Sequence, residues 1–457
     1  MASTSSRRTP GREVTVMGME TEYGILGAEP EDVVAACLEA ESEQGRCPGV
    51  RWDYSGEYPL RDARGFEVDR SAVDPSMLTD IPGAASTEGP VPGRLRTTAV
   101  VRLTAQEEAW QRGTATCLSS GGRLYVDHGH PEYATPECTG AAQATLADRA
   151  GDLLVARGAE LLRRRGVAAR LFKNNVDGKG ATYGTHENYL VPRAIDFDDL
   201  VQALVPLLVV RPLLVGSGRV GTGAVAQGAD FQISQRADYL EKVVGLGTTV
   251  DRPLVNTRDE PHADAARLRR LHVTCADTTM AEPTTGLRSA VTLLLLDALE
   301  AGWDFTDLIL ADPLATLSAL GESPWGDVPA TTVQGRCLSA VDIQEAFLER
   351  LTSYLGDAGV PDFLRGAEHL LEDLAPRVIS ALRRHDTGPI DTEIDWAIKR
   401  RLMSAQRERH PQLSGDALGA LRSRVDLAYH DLNAETGLGP RLVAQGAMAR
   451  LCEPEEI

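Results

Sequence analysis

Four groups of polar residues in the 457-residue chain combine types and spacings that could carry chemistry. The first is Glu20 and Glu22, in a segment Val14 to Leu26 that partly alternates apolar with polar residues. In a strand, residues i and i+2 point to the same face. Two carboxylates on one face of an otherwise apolar strand are costly to bury unless paired or metal-bound; a solvent-facing strand is the plain alternative. The second group is Arg123-Leu-Tyr-Val-Asp127-His-Gly-His130-Pro-Glu132. Arg123, Tyr125 and Asp127 share a face and would serve as phosphate contact, metal-side ligand and base. Glu132 follows a tight turn that could return it to the same cleft, and oxygen ligands of this kind suit magnesium. His128 and His130 lack a third soft ligand at zinc spacing, so turn hydrogen bonding is their expected role.

The third group runs from Phe172 to Tyr189 and holds Asn174, Asn175, His186 and Asn188 among glycines that permit close backbone approach to a ligand. It is not a Walker A loop, because Gly178-Lys179 is followed by Gly180 and not by Ser or Thr. A hairpin turn explains the glycines, but explains the asparagines and His186 less well. The fourth group gathers Arg219, Arg236, Arg258, Glu260, His262 and the Arg269-Arg-Leu-His272 segment. Arginines are the planar donors for phosphate and carboxylate, and with Glu260 and His262 they look like a triphosphate-plus-metal site. A solvated charged loop is the bland alternative.

The elements that must position these residues follow from periodicity. Strands are expected at Val14 to Leu26, Gly121 to His128, Ala168 to Phe172, Glu187 to Val191, within Phe231 to Val244, and at Leu271 to Thr274. The third and fourth of these, Ala168 to Phe172 and Glu187 to Val191, read as strands joined by the Gly-rich connection. Helical spacing marks Pro30 to Ala40, Ala141 to Arg165 (stopped by Gly166), Phe197 to Val215, Ser289 to Ala301, nearly all of Val341 to Arg407, and Pro440 to Leu451. Residues 27–116 otherwise show little periodicity and read as an insertion or long loop. A mixed β-rich part followed by a helical part predicts an α+β architecture, with an antiparallel sheet cradling the site.

Bulk composition excludes several classes. Hydrophobic residues at 42% and charged residues at 25% are those of a soluble globular chain. A net charge of −19 disfavours nucleic acid as the main partner. The longest apolar stretch, Leu200 to Val215, is interrupted by Gln202, Pro206, Arg211 and Pro212, so it predicts a buried helix and no membrane span. Seven widely spaced cysteines without a CxxC pair fit a reducing cytoplasm. Residues 1–13 have no apolar h-region and read as a disordered lead-in.

Taken together, the quoted segments resemble the Pup ligase/depupylase family of actinobacteria, whose members attach the small protein Pup to lysines, or remove or deamidate it. The resemblance runs from about Val14 to Leu451, with a weaker stretch from about Val68 to Ala115. It implies a glutamine synthetase-like fold: a concave antiparallel sheet flanked by helices that holds ATP and Mg2+, with a mostly helical C-terminal portion. The implied division is a catalytic domain over 14–400, containing a loop insertion within 27–116, and the start of a small C-terminal domain over 401–457. Carried over residue by residue, it makes Glu20 a magnesium ligand with Glu22 beside it, Tyr125 and Glu132 further ligands, and Asp127 the catalytic carboxylate. Arg123 and Thr135 become nucleotide contacts. His186, Arg219, Arg236 and Arg258 line the nucleotide side of the cleft, and Glu260 its metal side.

Within the family, Trp52 to Phe66 resembles the long loop of the depupylases, and the Asp127-to-Glu132 turn is one residue shorter than is usual in the ligases. Asp391 to Arg401 and Asp426 to Asp431 resemble the ligases more, and residues 70–117 depart from both. The family usually continues beyond the position of Ile457 into a stretch that helps close over the nucleotide, so a divergent or shortened member is expected. The expected activity is ATP- and magnesium-dependent hydrolysis of the isopeptide between Pup's C-terminal glutamate and a lysine, or of Pup's C-terminal glutamine amide. The ligase reaction is the alternative, and an inactive Pup- or nucleotide-binding regulator is the alternative of another class. Pup, pupylated proteins and a functional link to the proteasome are the expected partners. Pup, being disordered and acidic, would fold on binding.

Overall fold

A computed structural model describes residues 15–46, 58–72, 115–127, 129–177, 180–222, 227–247, 252–260, 262–323 and 325–452. The expected lead-in 1–13, the loop residues Trp52 to Glu57, most of the 27–116 insertion, His128 and Lys179 lie outside the described residues.

Eight strands form the main sheet: β1 (Met17–Glu22), β2 (Thr116–Cys117), β3 (Arg123–Asp127), β4 (His130–Ala134), β5 (Thr185–Pro192), β6 (Lys242–Gly245), β7 (Pro253–Asn256) and β8 (Leu268–Ala276). Their spatial order is β6-β7-β8-β5-β1-β4-β3-β2. All neighbours are antiparallel except the edge pair β6 and β7, which run parallel. This is the expected α+β sheet. The alternation expected of β1 is explicit: Met17 and Met19 are 2% and 1% exposed in the core, and the glutamates take the other face.

That core is closed by two apolar helices, Phe197–Val210 and Glu282–Glu300. Asp196 caps the first by accepting the Asp198 backbone N–H at 2.8 Å. The sequence predicts one helix to Val215, but the chain turns at Arg211 and a short helix, Pro212–Val215, follows, because Pro212 has no N–H to continue the ladder. The second helix begins seven residues before the expected Ser289. The chain entering it is held by Asp395, 115 residues from Met280, which accepts the Met280 N–H at 2.8 Å and the Ala281 N–H at 3.2 Å. A distant contact of that kind leaves no local signal in the sequence.

Two expected neighbours do not pair. Strand Arg170–Phe172 lies against Gly24–Leu26, whereas Thr185–Pro192 joins the main sheet. Between them the Gly-rich segment brings Asn174, Asn175 and Tyr183 to the end of β1. The expected helical C-terminal part is present as Ala340–Ala358, Ala375–Arg384, Asp395–Arg409, Gly415–Tyr429 and Leu438–Ala444. Helix Asp395–Arg409 runs through residue 400, so the expected division at 400 falls inside an element. Among the described residues no helix is long and apolar enough to cross a membrane, and the six described cysteines are free.

Candidate functional site

Strand register assembles the site. Glu22 pairs with Glu132 across β1 and β4, and Glu132 pairs with Tyr125 across β4 and β3. On the other side Glu20 pairs with His186. Directly paired residues point to one face, so two adjacent rows of cross-strand neighbours on one face carry the chemistry. The β3–β4 turn returns Glu132 to that face, as expected. Gly129 holds φ +89° there, a left-handed conformation that suits glycine.

Two clusters result. Glu22, Asp127 and Glu132 place carboxylate oxygens within 4.8 Å of one another, and Glu20, His186 and His272 place ligand atoms within the same limit. Glu22 and Glu132 are 7% and 2% exposed, so their mutual repulsion is poorly screened. Burial, and then the charges of Asp127, Glu20 and Glu22, push Glu132 well above the usual carboxylate range. A set of three converging hard oxygen donors, two of them buried, fits a divalent cation such as magnesium. Tyr125 lies in the same row as Glu132, but its hydroxyl donates to Glu132 Oε1 at 2.7 Å. Burial and Glu132 raise its phenol well above its ordinary value, so in this arrangement it is a neutral group that orients Glu132.

The second cluster is tuned differently. His186 Nδ1 lies 3.1 Å from Glu20 Oε2. Burial pushes Glu20 up, but this hydrogen bond and the charges of Arg270, His272 and His186 outweigh it and hold Glu20 well below the usual range. His272 Nδ1 meets Arg270 Nη2 at 3.0 Å. A guanidinium only donates, so Nδ1 accepts, and the neutral ring carries its proton on Nε2. That Nε2 faces Glu20 Oε2 at 3.7 Å, too long for a hydrogen bond, and has no partner. Burial and the Arg270 charge keep His272 well below its ordinary value. As arranged, His272 offers Glu20 an N–H in place of a lone pair, which makes the three-carboxylate cluster the stronger cation site.

The remaining expected residues divide. Arg236 is 3% exposed, and its Nε and Nη1 have no hydrogen-bond partner. Its backbone is fixed by Asp277, which accepts the Arg236 N–H at 3.2 Å. A buried guanidinium without partners is an anion site in waiting. Arg123 packs over the Tyr125 ring at 4.4 Å beside the clusters. Three others already have protein partners. Arg219 donates to Gln232 Oε1 at 3.0 Å and Asp238 Oδ2 at 2.8 Å. The Thr135 hydroxyl accepts the Met19 N–H at 3.0 Å and so fastens β1 to the chain after β4. Glu260 belongs to neither cluster: its oxygens accept the Tyr58 N–H at 2.6 Å and Arg258 Nε at 2.5 Å. Glu260 and Arg258 thus clasp the described end of the long loop, as do Asp62 and Thr257 through a 2.6 Å hydrogen bond.

His130 also departs from its expected turn role. It stands on β4, stacks on Tyr183 at 4.4 Å, and its buried Nδ1 has no hydrogen-bond partner, 3.8 Å from Glu22 Oε2. His272 and Arg270 were the least legible members of the site. Their i, i+2 spacing was a signal, but only pairing of His272 with Asn188 across β8 and β5 aims them at Glu20.

The family described as Pup-ligase protein matches residues 15–457. A protein of Acidothermus cellulolyticus called depupylase is 38% identical over 96% of this chain and 82% of its own. A Pup–protein ligase of Arthrobacter sp. is 40% identical over 76% of each chain. Among solved structures, the ligase PafA in complex with Pup superposes with a TM-score of 0.73 at 29% identity, covering 98% of this chain and 78% of that one. PafA in complex with ADP gives 0.67 at 36% identity over 74% of each. The chain belongs to the Pup-ligase protein family.

Proposed function

We propose that this chain is a depupylase and Pup deamidase that works with ATP and magnesium. The observation that carries the reading is the Glu22–Asp127–Glu132 cluster, with Arg236 Nε and Nη1 buried without a hydrogen-bond partner in the same fold. The span of the comparisons favours hydrolysis over ligation: the depupylase relative matches 96% of this chain, the ligase relative 76%. The short β3–β4 turn and the clasped loop Tyr58 to Phe66 agree with it.

Glu22, Asp127 and Glu132 would hold one magnesium, and Glu20 with His186 would face a second. When bound, the metal and the nucleotide phosphates would supply Lewis-acid and charge-stabilising chemistry around the scissile carbonyl. Tyr125 holds Glu132 in place through its hydroxyl proton. Arg236, with Arg123 and Arg258 nearer the rim, would bind phosphate. Arg219, Thr135 and Glu260 support the cleft without touching the reacting atoms.

Asp127 is the reactive carboxylate of the set. It either attacks the carbonyl carbon, so that the C–N bond breaks and the amine or ammonia leaves with a proton before water opens the acyl intermediate, or it takes the proton from the attacking water. Incubation with Pup ending in glutamine, and separately with a pupylated protein, tests this. Ammonia and free Pup are the expected products; ADP with a new Pup–lysine conjugate as the sole products would make the chain a ligase. Asp127→Asn should lower turnover on the order of 10³-fold with Pup and ATP binding retained. An inert parent protein that still binds both would leave only the regulator reading.

A further inference from the structure

The C-terminal helices reach the cleft through an ion pair with a buried lysine that the chemistry above does not use. Lys399 on helix Asp395–Arg409 is 0% exposed and pairs with Asp426 on helix Gly415–Tyr429. Its ammonium also donates to the Gly218 carbonyl at 2.6 Å and meets His430 Nε2 at 3.0 Å. Asp426 Oδ2 in turn accepts the Val220 N–H at 2.8 Å. The pair therefore grips the backbone on both sides of Arg219, at the point where Gly218 adopts φ +68°.

Strands Arg219–Thr222 and Gln227–Gln232 pair as an antiparallel hairpin, and the same assembly holds the chain just beyond its exit. His430 Nε2 lies 3.3 Å from Gln235 Nε2. Lysine and amide N–H groups only donate, so this nitrogen accepts from both. Gln235 donates to Ser217 Oγ at 3.1 Å, accepts the Asn175 N–H at 2.9 Å, and immediately precedes Arg236. Below the hairpin, Met403 and Val425 pack on Val220. Asp277, just past the end of β8, accepts the Ser217 and Gln235 N–H groups at 2.8 and 3.0 Å, so the segment from Arg219 to Arg236 is held at its two ends by the main sheet on one side and by Lys399, Asp426 and His430 on the other.

We infer that Lys399, with Asp426, is a positioning residue that sets where the Arg219–Arg236 hairpin stands above the carboxylate clusters, and so governs anion binding in the cleft. This rests on the proposed nucleotide-dependent function. A group that acts by placing Arg236 affects how tightly phosphate is held and leaves the bond-breaking carboxylate where it is.

The test compares wild type with Lys399→Met and with the double variant Lys399→Met/Asp426→Leu, which removes both charges so that neither is left buried alone. ATP binding is measured by calorimetry, and turnover by release of free Pup. A KM for ATP raised on the order of 10-fold, with kcat within about 3-fold, is expected of whichever variant folds. Unchanged ATP affinity in a folded variant overturns the inference and leaves the proposed function standing. Absence of ATP binding by wild type overturns both. Should neither variant fold, amide exchange of the wild type decides: saturating ATP and magnesium should slow exchange over 217–221, and no change there overturns the inference.

Discussion

Glu132 shows at the level of one residue how function and stability oppose each other. Its carboxyl is buried against Asp127, Glu20 and Glu22, which raises it well above the usual range. The metal-free native state therefore retains a proton that the unfolded chain has released above about pH 4.3. By linkage this contribution is present below the unfolded value and is lost as pH rises through the folded one. Glu132→Gln keeps the acceptor for the Tyr125 hydroxyl and deletes the charge. The metal-free variant should melt about 2–4 °C higher, the shift expected for roughly 1 kcal/mol in a domain of this size. Added magnesium should no longer stabilise it. A thermal scan of both proteins with and without magnesium checks this; a variant that melts lower without metal would show that repulsion does not dominate the site.

The element that matters most is β1, because it carries Glu20 and Glu22 and is held from behind. Thr21 and Tyr23 alternate with the glutamates and donate to Asp148 at 3.1 Å and Asp152 at 3.0 Å on helix Ala141–Arg164. Lys173, 2% exposed, closes the network with 2.6 Å and 3.0 Å contacts to the same two aspartates. The register of the ligand strand is therefore set by a buried ion triad. Lys173→Met would leave two carboxylates unpaired behind β1. A loss of about 3–5 kcal/mol is expected from denaturant titration, the usual effect of breaking a buried pair. A loss below about 1 kcal/mol would mean that the network is solvated.

For the whole molecule, two buried histidines make folding depend on pH. Burial, and then Arg270 for His272 and Lys399 for His430, hold both well below the ordinary imidazole value. Below about pH 6.5 the unfolded chain takes up protons that the native protein refuses, so stability falls as pH falls. Each histidine contributes up to about 1.4 kcal/mol per pH unit. Urea midpoints measured between pH 5 and pH 7.5 should decline toward the acid end, and His430→Gln should flatten the slope. A midpoint independent of pH in this window would contradict neutral buried histidines. Because His430 joins the C-terminal helices to the cleft hairpin, the acid loss should be cooperative across both.

How much of this was legible in the chain follows from the range of each interaction. Alternation placed Glu20 with Glu22, and Arg123 with Tyr125 and Asp127, on shared faces, since a strand's period of two is local. The tight turn before Glu132 was equally local, and the quoted segments were enough to place the chain in its family. Pairing between strands distant in sequence was not legible: Glu20 meets His186 across 166 residues. Nor was the engagement of Glu260 with the Tyr58 amide, or of Arg219 with Gln232 and Asp238, since an arginine's partners are chosen by packing and not by spacing. The sequence by itself determined which residues could ligate, titrate or attack. Tertiary structure decided which of them meet, because only the assembled sheet brings Glu22, Asp127 and Glu132 within reach of one another and leaves Arg236 Nε and Nη1 buried without a hydrogen-bond partner.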